Sequence, residues 1–165
     1  MVIPAAEARD ALHRRLEAVF GEAFASLCPG VRAPKVYLGF PANEPPFYVA
    51  VDELVDTAST SGAASMGHAR VDLTLRVFLF AKHRELMEAA DTLLAYMDAV
   101  FASVLADQRL DRTVDNAMPS VESAGTAAGS DKRYMAAASV AIGCQVGSAC
   151  PARIMEVVRE ANRNG

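Results

Sequence analysis

Ala69-Arg70-Val71-Asp72-Leu73-Thr74-Leu75-Arg76-Val77-Phe78-Leu79-Phe80, followed closely by Glu85-Leu86-Met87-Glu88-Ala89-Ala90-Asp91-Thr92-Leu93-Leu94, decides the fold. In the first stretch Val71, Leu73, Leu75, Val77 and Leu79 alternate with Arg70, Asp72, Thr74 and Arg76, the period of a half-buried strand. Phe78 and Phe80 break the alternation, so that end is predicted to be covered on both faces, by helices on one side and another element on the other. In the second stretch the period changes. Leu86, Ala89, Ala90, Leu93, Leu94, Met97, Val100, Phe101, Val104 and Leu105 recur at three- and four-residue steps, predicting a helix over about 84–106 with Glu85, Glu88, Asp91 and Asp98 solvated.

Upstream, Ala8, Leu12, Leu16, Val19, Phe20, Ala23, Phe24 and Leu27 predict a helix over about 5–27, stopped by Cys28-Pro29-Gly30. Residues 35–40 and 47–51 read as short strands, and the turn between them favours an antiparallel pair. Residues 57–67, Thr-Ala-Ser-Thr-Ser-Gly-Ala-Ala-Ser-Met-Gly, have the composition of a flexible loop. Downstream, 107–115 is a charged connection, 114–123 a weak strand broken by Pro119, 126–131 a turn, and 133–146 a strand carrying Tyr134, Ala136, Ala138, Val140, Ile142, Cys144 and Val146 on one face. Ile154, Val157, Val158 and Ala161 mark a short amphipathic helix over 151–162.

Only one helix falls between strands, which excludes a doubly wound array. The expected class is α+β: a mostly antiparallel mixed sheet of about five strands, two long helices on one face and a short C-terminal helix. At 165 residues the chain is expected to be a single domain, 1–165, with the flexible loop 57–67 and a C-terminal extension 148–165.

Hydrophobic residues at 52% and charged ones at 22% exclude a disordered chain. The net charge of −4, with Lys and Arg scattered, argues against specific nucleic-acid binding. Three cysteines without a CxxC pair argue against a disulfide framework or a zinc site and for a reducing compartment. The first residues, Met1 to Glu7, lack the basic and apolar regions of a secretory signal, and no apolar run approaches the ~18 residues of a membrane span.

Catalytic motifs are missing: no P-loop, no GxGxxG after a strand, no HExxH, no GxSxG. Gly125 to Gly129 reads as a hairpin turn. Cys144 with His83 is the one nucleophile–base pairing to weigh, but Cys144 lies on the apolar side of its strand, where a thiol acts as a small hydrophobe. Asp107, Asp111 and Asp115, four apart, lack the Gly and Glu of a calcium loop, and Asp52, Glu53 and Asp56 gather at a strand exit. The expectation is no enzyme, no catalytic residue, no cofactor and no metal. A sheet with long polar loops and apolar strand ends points instead to contact with other subunits.

The stretch 69–80 running into 85–94, with the closing Lys132-Arg133-Tyr134 and the strand to Val146, resembles the phage tail-terminator (minor tail protein U) group of neck and tail-completion proteins, over about residues 5–147. The resemblance implies a non-enzymatic homo-oligomer, a hexameric ring that caps the tail tube and joins it to the head. It implies partners among tail-tube and head-neck proteins, and a location in the host cytoplasm during assembly and then in the virion tail. It makes Thr57, Ser59, Ser61, Met66 and His68 a candidate assembly loop, and Asp52, Glu53, Asp56, Asp107, Asp111 and Asp115 candidate channel-facing acids. The alternatives are another neck or tail-completion subunit, a small ligand-binding regulatory α+β domain, or a thiol enzyme using Cys144.

Overall fold

One long strand, β4 (His68–His83), organises the computed structural model, which describes residues 4–59, 68–149 and 159–163. Before it come α1 (Pro4–Phe20), the single turn α2 (Phe24–Leu27), β1 (Lys35–Leu38), β2 (Phe47–Val51) and β3 (Asp56–Ser59). After it come α3 (Leu86–Ala106), β5 (Asn116–Ala128) and β6 (Tyr134–Ala149). β4 pairs antiparallel with β6 from His68↔Ala149 to His83↔Tyr134. Its other edge takes β2 along Val77–Ala81 and β3 along Val71–Thr74. β2 and β3 are thus two halves of one edge, interrupted at residues 52–55. There the Asp52 N–H donates to the Arg76 carbonyl at 2.9 Å, and Asp52 Oδ1 accepts the Leu54 N–H at 3.1 Å. The six-stranded sheet runs β1-β2-β4-β6-β5, with β3 beside β4. It is the mostly antiparallel α+β sheet expected, with one more strand.

Three local expectations are corrected. β1 and β2 pair in parallel, Lys35↔Tyr48 through Leu38↔Val51, not antiparallel. A four-residue strand is only ~13 Å long, so the link 39–46 is long enough to run back along it before β2 starts. Gly39, at φ +79°, starts the return, and its N–H donates to the Val51 carbonyl at 2.7 Å. Second, residues 56–59 form β3 and do not belong to a loop; residues 60–67 lie outside the described ones. Third, β5 continues through Pro119 to Ala128, so residues 126–128 are strand and not turn. Proline is tolerated because β5 is an edge strand, where one side of the backbone has no partner to lose. The extension from residue 148 begins as the end of β6; of the C-terminal helix only 159–163 are described, and they are helical.

α1 lies over β1 and β2, and α3 over β4, β6 and β5, both on one face of the sheet. Leu73, Leu75, Val77 and Leu79 of β4 point into that layer as the alternation requires. They meet Leu93 and Val100 of α3, Leu16 and Phe20 of α1, and Phe24; Met97 and Phe101 pack against the same core half-buried. Tyr96, three residues after Leu93 and four before Val100, is fully buried. Its hydroxyl donates to the Arg32 carbonyl at 2.6 Å, and its ring meets Phe20 and Phe24 edge-on at 5.7 Å each. α3 is the one helix among the described residues long and apolar enough to cross a membrane; here Ala89, Leu93, Val100 and Val104 bury one side of it against the sheet.

None of α1, α2 and α3 lies on the other sheet face. At the Phe78–Phe80 end it holds a second cluster: Tyr48, Ala50 and Phe80, with Tyr37, Phe78 and Met135. Tyr48 stacks on Phe80 at 5.2 Å, and Phe40 from the β1–β2 link covers Phe78 at 4.6 Å. The element expected over this end is therefore partly a loop side chain.

Candidate functional site

Two surfaces carry the residues singled out in the sequence. The first is the α1–α3 end, where the connection after α3 is built on Asp107. Its Oδ1 accepts the Arg109 N–H at 3.0 Å, and its Oδ2 accepts the Asp111 N–H at 2.9 Å and the Arg15 guanidinium at 2.7 Å. The two backbone N–H groups first, and then Arg15, hold the Asp107 carboxyl below the usual carboxylate range. The same Arg15 nitrogen reaches Asp111 Oδ1 at 2.7 Å. The carboxylate lets the chain take a left-handed turn through Leu110, Asp111 and Arg112, at φ +43°, +57° and +66°, which seats Leu110 fully in the core. Asp115 then closes onto β6, its Oδ2 accepting the Gly147 N–H at 2.8 Å.

The second surface is the open sheet face. Arg76 on β4 reaches Asp56 on β3 and places Nε 3.0 Å from Glu122 on β5, so one guanidinium spans the sheet. Glu122 also accepts the Ser139 hydroxyl of β6 at 3.2 Å. Its hydrogen bond from Arg76 keeps the Glu122 carboxyl below its ordinary range.

Of the six candidate acids, Asp56, Asp107 and Asp111 are therefore in ion pairs, and Asp52 and Asp115 accept backbone N–H groups. Glu53 is exposed, and its carbonyl accepts Arg9 at 2.9 Å. They form two groups: Asp52, Glu53 and Asp56 around the β2–β3 break, and Asp107, Asp111 and Asp115 around the turn after α3. Of the candidate assembly loop, Thr57 and Ser59 sit on β3 and His68 starts β4; Ser61 and Met66 lie outside the described residues. Neither Arg15 nor Arg76 was singled out in the sequence, because a lone arginine acquires meaning only when distant segments bring carboxylates to it.

Cys144 and His83 are not brought together. Cys144 pairs with Leu73 and His83 with Tyr134, opposite ends of one ladder, roughly 33 Å apart at ~3.3 Å per residue. Burial pushes the Cys144 thiol up to about 12. His83 instead sits 3.3 Å from Glu88 and 3.3 Å from Thr92, edge-on to Phe47. Among the described residues no group of three or more His, Cys, Asp or Glu is placed to hold a metal ion. The depressions on the surface are open: one on the open sheet face beside Asp72, Asn116 and Gln145, one over Phe80 and Lys82, and one beside the left-handed turn.

The remaining conspicuous feature is exposed apolar surface. Leu38, Phe40 and Leu54 are exposed on the β1 side, and Leu86, Leu94, Leu105 and Val121 on the α3–β5 side. The apolar arc of α3 read from the sequence is wider than the face that the sheet and α1 cover, which leaves Leu86, Leu94 and Leu105 exposed.

No protein-family model matches the chain, and no curated protein matches it. Among solved structures, a chain of one described as "Virion of native gene transfer agent (GTA) particle" is similar in fold. The TM-score is 0.50 at 14% sequence identity, covering 85% of this chain and 94% of that chain. At that identity the likeness is one of fold, and it extends over nearly the whole of both chains.

Proposed function

We propose that this protein is a structural subunit of a phage-like particle, acting at the neck or tail end as a tail-terminator-like ring that caps the tail tube and joins it to the head. The observation that carries the reading is the near end-to-end fold likeness to a chain of a virion particle. The order of elements points the same way, and the exposed apolar flanks on opposite sides of the sheet suit a subunit surrounded by others. In this role the protein carries out no chemistry and takes no cofactor. It works by presenting fixed surfaces to copies of itself, to the tail tube and to the head. Assembly takes place in the host cytoplasm, and the subunit ends in the virion. The acids around the β2–β3 break and after α3 would keep the channel free of DNA contacts, Glu53 most of all because its carboxylate is exposed.

The test is deletion of the gene in a strain that makes the particle, with electron microscopy of the products. The expected result is unjoined heads and tails, or tails of uncontrolled length, restored by the gene in trans. Normal particles from the deletion strain would refute the reading.

A further inference from the structure

Two carboxylates of the open sheet face, Asp56 and Glu122, share the Arg76 guanidinium. A third, Asp72, lies on the same face of β4 and has no such partner. The residue is half-buried, and its Oδ1 is shielded from solvent yet accepts no hydrogen bond. No ion pair reaches the carboxylate among the described residues. A shielded carboxylate oxygen without a donor is unfavourable, and a donor brought to it would recover that free energy.

The strand register places a depression beside this carboxylate. Across β4, β6 and β5, Asp72, Gln145 and Asn116 form one row of side chains on the open face, and Thr74, Gly143 and Met118 form the next. Gly143 adds no side chain to its row, so backbone forms the floor of a depression of about 270 Å³ with these six residues around it. A Cβ on Gly143 would meet only the Met118 carbonyl oxygen, at 3.9 Å, an ordinary contact. The fold therefore does not require glycine there; the missing side chain leaves open space.

The lining holds one formal charge, the Asp72 carboxylate, and no basic residue. The Thr74 hydroxyl and the Asn116 and Gln145 carboxamides each carry an acceptor oxygen. One carboxylate is too few for a divalent ion, and no group of three or more His, Cys, Asp or Glu is placed for one among the described residues. An anion beside neutral acceptors on a flat floor matches a guanidinium, which is planar, always charged and carries its N–H donors in its own plane. Arg76 makes the same kind of contact on this face with Asp56 and Glu122. The depression is open to solvent and below the ~300–1,000 Å³ of clefts that enclose a whole small ligand. It suits the end of a side chain carried on another chain.

We infer that the depression between Asp72 and Gly143 receives an arginine side chain of a partner protein, with the guanidinium over Gly143 and donating to the Asp72 carboxylate. The site lies within one subunit, so the inference goes beyond the ring reading and does not rest on it.

The experiment titrates N-acetyl-arginine amide into the isotopically labelled full chain and follows NMR shifts. The isolated group is expected to bind weakly, with a dissociation constant of about 1 mM or above. It should move the Gly143 backbone signal and the side-chain amide signals of Asn116 and Gln145. N-acetyl-lysine amide should bind several-fold more weakly, because an ammonium is a point charge without the planar fork. Asp72→Asn keeps the shape and removes the charge, and Gly143→Ala fills the floor; each is expected to abolish the shifts. Asp98→Asn, at an exposed acid of α3, should leave them unchanged. Melting curves give a separate readout, since removing an unpaired carboxylate should leave Asp72→Asn at least as stable as wild type. Arg70 precedes Asp72 by two residues on the same face of β4, and a lower melting temperature for Asp72→Asn would mean that the chain already satisfies this carboxylate, which overturns the site. Shifts that survive Asp72→Asn, or that lysine amide reproduces equally, overturn guanidinium recognition, and no shift at all overturns the site. Micromolar binding of the free amide would overturn the partner side chain as the source and mark a small-molecule site.

Discussion

The carboxylate of Asp107 and the guanidinium of Arg15 meet at 2.7 Å, joining the turn that follows α3 to the middle of α1 across 92 residues of sequence. The same carboxylate accepts the N–H groups of Arg109 and Asp111. It therefore stabilises one turn of backbone and the packing of two helices at once. Its folded-state pKa is lowered, so the stability it contributes is fully present above the unfolded value near 3.8 and is lost as pH falls through the folded value. Thermal melts should be flat with respect to Asp107 from pH 7 to about 5. Asp107→Asn should lower the melting temperature at pH 7 and reduce the further fall below pH 4. A variant with the wild-type acid profile would show that the carboxylate is not linked to folding.

Left-handed backbone at three successive non-glycine residues is costly. Arg112 sits at φ +66° with its side chain exposed, so the backbone term can be isolated there. Arg112→Gly should be more stable than Arg112→Ala by about 1 kcal/mol, the cost of placing a Cβ in the left-handed region. Denaturant titration of the two variants side by side measures this directly; equal midpoints would contradict the strain.

Leu75 is 1% exposed at the centre of β4, between α3 and the sheet's inner face. Leu75→Ala should cost roughly 2–5 kcal/mol in urea unfolding, from lost burial and the cavity left behind. Leu94→Ala, on the exposed arc of the neighbouring helix, should change the stability of the isolated subunit by less than ~0.5 kcal/mol. The contrast separates the part of α3 that folds the subunit from the part that folding leaves exposed.

Cys144 is buried, and its thiol is pushed up to about 12, so little thiolate exists at pH 8 and reagent cannot reach it. In a variant that keeps Cys144 as the sole cysteine, a thiol reagent at pH 8 should label it only after denaturant is added. Rapid labelling of the native protein would revive the thiol-enzyme reading.

The pattern from Val71 to Leu79 determined the central strand and its buried face, because a period of two admits one register against a hydrophobic layer. The period of three and four from Leu86 to Leu105 likewise determined α3, and the count of helices between strands determined the α+β class. The direction of β1 was not legible. A link of eight residues can turn back at once or run the length of a short strand, and only the neighbours of β2 decide between them. β3 was hidden by small polar residues whose strand state comes from pairing with β4, not from intrinsic preference. Which acids stand free and which are paired depended on Arg15 and Arg76, whose partners lie between 20 and 96 residues away in sequence. The apolar arc of α3 was plain in sequence, but its division into a core side and an exposed side was not. Periodicity records how wide a helix's apolar face is; only the width of the sheet and the position of α1 decide how much of it the subunit itself covers.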